Sequence, residues 1–104
     1  INMGLMDKMK QAKDMYGNMK KIQEEVDKIE VTGFSKNNEV SVTVTGKHRI
    51  IDLKITDKLN SMDLKAIEKH SLDACNDALS KVDKEIKSKM GSMMNLPGGF
   101  KLPF

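Results

Sequence analysis

The side chains with the clearest chemical potential in this sequence are lysines gathered near its two ends. The chain holds 18 basic and 15 acidic residues, for a net charge of +3 at pH 7. Residues 8–21, the N-terminal basic zone, contain five lysines and one acid; residues 84–101, the C-terminal basic zone, contain four lysines and one acid. Lysine neutralises phosphate as a compact point charge, so both zones predict contact with a phosphate-bearing partner. Ordinary solvated helix faces are the alternative interpretation.

Residues that could support catalysis or metal binding are few and poorly spaced. His48 falls in a predicted turn, and His70 on a predicted helix. Cys75 follows His70 by five residues, so the two leave different helix faces and form no ligand pair. We expect a core cysteine and two surface histidines. The sequence contains neither GxGxxG nor GxxxxGK[ST]. It therefore predicts no enzyme, no metal and no cofactor.

Composition narrows the class of protein further. A chain of 104 residues with 38% hydrophobic and 4% aromatic residues predicts one domain, residues 1–104, with a modest core. Lys8, Lys10 and Lys13 interrupt the early apolar stretches, which argues against a signal peptide, and no apolar run could span a bilayer. The single cysteine suits a reducing compartment. We expect a cytoplasmic protein with no membrane partner and no small-molecule substrate.

Two long helices flank a segment with a different period. Apolar residues at 15, 19, 22, 26 and 29 follow heptad spacing, which predicts a helix over residues 3–29 that lies along another helix. Apolar residues recur with helical spacing from Leu64 to Met93, and predict a second helix over residues 61–94. Asn60 or Ser61 is its expected cap, with Asp63 in the first turn. Residues 95–104 predict an irregular tail.

The segment between the helices alternates apolar and polar residues. Valines at 40, 42 and 44 alternate with hydroxyl residues, and Ile51, Leu53 and Ile55 alternate with polar ones. Period two with β-branched residues is typical of half-buried strands. A weaker strand around residues 31–35 and turns at residues 36–38 and 46–48 complete the pattern. Residues 30–56 therefore predict a three-stranded antiparallel meander in an α+β protein.

The helices are longer than the sheet that must cover them. A helix of about 25 residues extends roughly 37 Å, whereas a strand of six or seven residues spans about 22 Å. The projecting helix ends still carry apolar residues, which are unfavourable in water. A homodimer would bury them and join two small sheets edge to edge. The predicted dimer interface comprises Met15, Met19, Ile22, Val26, Met90 and Met93.

Several segments form a recognisable series along the chain: Leu5-Met6 with residues 9–12, residues 29–33, 42–46, 51–55, 73–78, and the ending Leu96-Pro97-Gly98-Gly99-Phe100-Lys101-Leu102-Pro103-Phe104. Their order and spacing resemble the YbaB/EbfC family of nucleoid-associated DNA-binding proteins. The resemblance implies an α-β-β-β-α protomer that dimerises into a tweezer-like clamp. It also implies a bacterial protein that binds double-stranded DNA at the nucleoid, needs no cofactor and is not an enzyme.

The resemblance and the basic zones together predict a homodimer that binds double-stranded DNA through lysine–phosphate contacts, with a role in nucleoid organisation and gene regulation. Arg49 is the only arginine, so bidentate recognition of guanine is scarce and backbone contacts should dominate. The candidate DNA-binding residues are Lys8, Lys10, Lys13, Lys20, Lys21, Lys84, Lys87 and Lys89.

Two other functions fit parts of the sequence. A methionine-rich surface suits adaptable binding of a partner helix, so the chain could be a protein-interaction module that does not bind DNA directly. Residues 2–16 could lie on a membrane surface as an amphipathic helix, but only Leu5 and Tyr16 are bulky apolar residues other than methionine there. The interaction module is the stronger alternative.

Overall fold

The computed structural model of the chain describes residues 4–58 and 63–94, and shows a helix, three strands and a second helix. The strands form one antiparallel sheet in the order β1-β2-β3. This confirms the predicted α-β-β-β-α architecture with two long helices. The elements are α1 (Leu5–Asp27), β1 (Glu30–Phe34), β2 (Val40–Thr45), β3 (Ile50–Ile55) and α2 (Leu64–Met94).

The core lies between the central strand and α2. Alternate residues of β2 are fully buried, and the three small residues of α2 that face them are spaced four apart. Small side chains at these positions let the helix approach the sheet closely, while the β-branched valines fill the space between. The buried core residues are Val40, Val42, Val44, Ala74, Ala78 and Val82.

Both hairpin turns contain a residue in the left-handed region. Asn38 and His48 each have φ of 61°. The Asn38 N–H donates to the Ser35 carbonyl, and the His48 N–H donates to the Thr45 carbonyl, at 2.9 and 2.8 Å. Asparagine and histidine enter this region more readily than most non-glycine residues, which explains their place in short hairpins. The predicted turns at residues 36–38 and 46–48 therefore lie where the chain reverses.

Two glycines allow backbone segments to meet. A Cβ at Gly33 would lie 2.2 Å from the backbone nitrogen of Ala78, so α2 rests directly on β1. A Cβ at Gly46 would lie 1.8 Å from the carbonyl oxygen of Val26, which places the end of α1 against the β2–β3 turn. A hydrogen bond of 2.9 Å from the Gly46 N–H to the Ile29 carbonyl holds the second contact together.

We expect Gly33→Ala to destabilise the fold by about 2–3 kcal/mol, because the new methyl group overlaps backbone that cannot rotate away. Gly17→Ala is the matched control, since nothing lies within 4 Å of its added Cβ. Alanine in an exposed helix interior should instead stabilise by about 0.5–1 kcal/mol. Urea denaturation of both variants at one protein concentration tests the pair. Equal effects would contradict the assigned α2–β1 contact.

The start of α2 differs from the predicted one. The helix begins at Leu64, and the Asp63 carboxylate accepts a hydrogen bond of 2.8 Å from the Ala66 N–H. Asp63 is therefore the cap itself rather than a first-turn residue. Asn60, Ser61 and the predicted tail, residues 95–104, lie outside the described residues. Helix α1 ends at Asp27, two residues before the predicted end.

Strand β3 departs from the expected half-buried state. Ile50, Ile51, Leu53 and Ile55 keep 40–53% of their surface exposed, and all six residues of the strand are exposed. The strand pairs with β2 on one side, and the register shifts beside Val44, where Ile51 is an extra residue. Helix α2 packs over β1 and β2, so within the described residues this edge of the sheet is left uncovered.

Candidate nucleic-acid interface

The first part of α1 projects away from the rest of the protomer. The Lys89 ammonium approaches the Glu25 carboxylate at 4.0 Å, and Met93 lines a groove with Met15 and Met19, so α1 and α2 run antiparallel. On this register α2 reaches Met94 beside residue 19 of α1. The preceding residues 5–18, here called the arm, extend for roughly 20 Å beyond that point.

The shape of the chain reflects this projection. Its radius of gyration is 20.0 Å and its principal extents are 74 × 26 × 16 Å. A compact chain of this length would have a radius near 13 Å. The large apolar residues of the arm, with Met19 just beyond it, are 63–84% exposed. The arm is thus held by its base and presents most of its surface to solvent.

All five candidate lysines of the N-terminal basic zone are exposed. Lys10, Lys13 and Lys20 are spaced by three and seven residues, which places them along one stripe of α1, here called the lysine stripe. The stripe lies away from Ile22 and Val26, the two α1 residues that are buried against the protomer. Lys10 and Lys20 are about 15 Å apart along the helix axis. The stripe can therefore meet several phosphates at once.

The C-terminal basic zone is divided. Lys84 and Lys87 on α2 are exposed, whereas Lys89 is half-buried beside Glu25. Lys28 also approaches Glu25, at 3.4 Å. Two lysines thus share one carboxylate near the base of α1, which lowers the charge that Lys89 can offer to a phosphate. The exposed ammonium groups of Lys84 and Lys87 remain accessible to a phosphate.

The predicted dimer-interface residues do not share one environment. Ile22 and Val26 are already buried within the protomer, whereas Met15 and Met19 are more than 60% exposed. Met90 and Met93 are half-buried on α2. Met15, Met19 and Met93 line an open groove of about 400 Å³ between the helices. Of the six predicted interface residues, the four methionines, rather than Ile22 and Val26, still present apolar surface to a partner.

An arrangement that sequence reasoning missed lies at the edge of β1. The Asp77 carboxylate of α2 accepts a hydrogen bond of 2.8 Å from the Phe34 N–H and contacts the Lys81 ammonium at 2.9 Å. The same ammonium donates to the Thr32 carbonyl at 3.4 Å and lies 5.2 Å from the centre of the Phe34 ring. The only sequence signal is the four-residue spacing of Asp77 and Lys81, which is typical of ordinary solvated pairs.

These contacts shift the titration of one group. The hydrogen bond from Lys81, and then that from the Phe34 N–H, hold the pKa of Asp77 below its usual value. A carboxyl with a lower pKa in the folded state stabilises the fold above its unfolded pKa, and this contribution is lost as the pH falls through the folded value.

We expect Asp77→Asn to be less stable than the unchanged protein at neutral pH, because the ionised carboxylate is lost. The difference in stability should begin to narrow as the pH falls below the ordinary carboxyl pKa of about 4, and should close only once the pH has passed below the lowered pKa of Asp77 in the folded protein. Thermal denaturation at several pH values between neutral and strongly acidic measures it. A gap that stayed constant through the acid range would show that the ionised form of Asp77 does not stabilise the fold.

The remaining candidate groups form structural contacts. His48 Nε2 lies 2.8 Å from the Asp83 carboxylate, which ties the β2–β3 turn to α2. His70 is half-buried rather than a surface residue, and its Nε2 lies 3.2 Å from the Asn37 amide. Cys75 packs beside the core. Among residues 4–58 and 63–94 no three His, Cys, Asp or Glu side chains are close enough to share a metal ion.

Comparison with known proteins places this geometry in a family. The profile of the YbaB/EbfC DNA-binding family matches residues 2–96. The chain belongs to the YbaB/EbfC family. Its family is a DNA-binding one rather than a class of enzymes, in agreement with the resemblance read from the sequence.

Relatives of this YbaB/EbfC protein agree with the assignment. Two proteins of Xylella fastidiosa, from strains Temecula1 and 9a5c, are each 42% identical over 99 residues, cover 92% of both chains and are named nucleoid-associated protein. The crystal structure of the uncharacterized protein HP0035 from Helicobacter pylori superposes with a TM-score of 0.71 at 24% identity, over 89% of this chain and 99% of that one. The latter supports the fold alone. No helix in the described ranges has the length and apolar character needed to cross a membrane.

Proposed function

We propose that this protein binds double-stranded DNA as a homodimer at the bacterial nucleoid, and that lysines on projecting helices contact the phosphates. The lysine stripe is the observation that carries the proposal. Lys10 and Lys13 lie on the arm, which extends beyond the described end of α2, and Lys20 lies just past it. All three are exposed, so that double-stranded DNA can reach them. The family and its nucleoid-associated relatives support DNA as the partner.

Binding of this kind favours the backbone over the bases. Lysine contacts phosphate without fixed geometry, and the single arginine, Arg49, is exposed at the β2–β3 turn rather than on the arm. Contacts of this type carry no sequence information, so binding should be broad along DNA. Through such coverage the protein would help to organise the nucleoid and regulate genes.

The uncovered edge of β3 supports the homodimer. Its four large apolar residues are about half exposed in the single chain, and an open strand edge with such side chains invites pairing with another strand. A second copy related by a two-fold axis could place its own β3 alongside and continue the sheet. The exposed Met15 and Met19 of α1 are further candidates for this interface, where flexible side chains can fill irregular gaps.

Fluorescence anisotropy with two duplexes of equal length and unrelated sequence tests the proposal. We expect similar affinities for both and a steep loss between ~50 and ~200 mM salt, because each phosphate contact releases counterions. Analytical ultracentrifugation of the same sample should show a dimer. A salt-independent affinity, or tight binding to one duplex only, would rule out the lysine–phosphate mechanism.

The groove lined by Met15, Met19 and Met93 favours a second candidate function. A methionine-lined groove between two helices is suited to an amphipathic partner helix, so the arms could bind protein instead of DNA. Purified, nuclease-treated protein that failed to bind any duplex at low salt would favour this alternative. Binding of duplex at low salt that competes with a helical peptide would place both partners at the same surface.

A further inference from the structure

We propose that Asp77 and Lys81 form an edge guard that blocks strand pairing at β1, so that copies of this chain associate only through β3 and assembly stops at a closed dimer. The inference rests on the proposed homodimer, since it explains why that association does not continue into a chain of copies.

The sheet has two edges, and backbone geometry shows which groups of β1 face outward. The Ser35 N–H donates to the Val40 carbonyl across the β1–β2 pair. Backbone groups of alternate residues in an antiparallel strand point to the same side. The groups of Glu30, Thr32 and Phe34 therefore point away from β2, towards any strand that might pair with β1.

The edge guard occupies these outward groups. The Asp77 carboxylate accepts a hydrogen bond of 2.8 Å from the Phe34 N–H, and the Lys81 ammonium donates one of 3.4 Å to the Thr32 carbonyl. A strand that added to β1 would need both backbone groups, and would have to displace an ion pair of 2.9 Å to reach them. Charged side chains at an edge are a recognised means of preventing unwanted pairing.

Lys81 makes a further contact beside this edge. Gly33 faces α2, so the neighbouring Phe34 side chain lies on the opposite face of the sheet. The Lys81 ammonium, which donates to the Thr32 carbonyl, also lies 5.2 Å from the Phe34 ring centre. A strand that paired with β1 would have to displace this cation from the ring as well.

In the described part of the chain, the opposite edge is not protected in this way. The Thr56 N–H donates to the Glu39 carbonyl, so the backbone groups of Leu53 and Ile55 point outward by the same alternation. Within residues 4–58 and 63–94, no hydrogen bond from a side chain reaches these two groups. One guarded and one open edge allow β3 to meet β3 of another copy about a two-fold axis, which closes. Pairing of β1 with β3 would be head-to-tail and would leave edges free for further copies.

The test removes the guard and measures the size of the assembly. We expect Asp77→Ala/Lys81→Ala to associate beyond the dimer in sedimentation velocity, with a weight-average mass rising at least about twofold above that of the unchanged protein as concentration increases. Glu68→Ala/Lys69→Ala is the matched control: it removes the same two charges from exposed positions of the same helix and should leave the mass unchanged. A folded guard variant that keeps the mass of the unchanged protein overturns the proposal.

Two further variants distinguish this inference from the dimer itself. Adding Leu53→Lys to the guard variant should abolish the growth, because head-to-tail pairing needs the β3 edge; growth that persists overturns the proposal. If the unchanged protein sediments as a monomer, the proposed homodimer fails, while β3-dependent growth of the guard variant still supports the guard. Should the double variant lose its helical circular dichroism, Lys81→Ala alone takes its place, because it removes the donor to Thr32 and leaves the Asp77 hydrogen bond to Phe34; it should also grow beyond the dimer, and a folded variant that does not grow overturns the proposal.

Discussion

Reversing the charge of Lys10, Lys13 and Lys20 is expected to remove most DNA binding. The three residues form the exposed lysine stripe on α1. Near 0.1 M salt each phosphate contact contributes roughly tenfold to affinity through counterion release, so losing three predicts a loss of about 1000-fold for each protomer that contacts the duplex. The slope of log affinity against log salt should flatten by about three for each protomer that contacts the duplex. Anisotropy titrations at several salt concentrations measure both quantities.

The control for this experiment reverses Lys36, Lys65 and Lys69. These lysines are also exposed, but lie near the β1–β2 turn and the start of α2, at the end of the protomer away from the arm. The control changes the net charge by the same amount, so it separates local contact from overall charge. An equal loss of affinity in both variants would show that no defined DNA-contacting surface exists on α1.

Leu53→Lys is expected to convert the proposed homodimer to a monomer. Leu53 is 46% exposed in the single chain and lies in the open edge strand, where a second β3 would bury it. An ammonium group placed in such an interface would lose its hydration without gaining a partner, at a cost of several kcal/mol. The dissociation constant should rise at least about 100-fold. Sedimentation equilibrium over a range of concentrations provides the measurement.

Met6→Lys is the control for the edge variant. Met6 is 84% exposed and lies on the side of α1 away from the buried Ile22, so the substitution adds the same charge outside the proposed interface. It should remain dimeric. If Leu53→Lys also remained dimeric, the interface would lie elsewhere, and the helices are the next candidate because Met15 and Met19 are among their exposed apolar residues.

Local sequence pattern was sufficient to predict the order and type of the elements. The change from helical spacing to alternation at β2, and back again in α2, follows from which residues must face one core. The buried state of Val42 and Val44 was visible in the same alternation. The pattern was wrong about the burial of β3. An apolar residue such as Leu53 indicates a surface that favours burial, but the pattern does not say whether the segment that buries it belongs to the same chain.

The same limit applies to the site. The exposed lysines followed from charge clustering, which needs no tertiary information. The edge guard did not follow from the sequence, because the four-residue spacing of Asp77 and Lys81 is typical of a solvated pair. Only the position of α2 beside β1 shows what the pair contacts. Gly33 was visible as an irregularity within a strand, yet its reason is the backbone of Ala78, which is distant in sequence. Contacts between distant segments are set by tertiary packing, so spacing alone does not predict them.

The attachment of α1 has a mechanical consequence. Only Ile22 and Val26 of this helix are buried, and its last turn contacts Gly46. A short packed segment at the C-terminal end of α1 therefore holds a long projecting one. Leu5 lies about 25 Å from Ile22, and a tilt of about 10° at the base would displace the tip by roughly 4 Å. In the proposed homodimer, two helices attached in this way would follow the varying width and curvature of a duplex by small tilts at their bases.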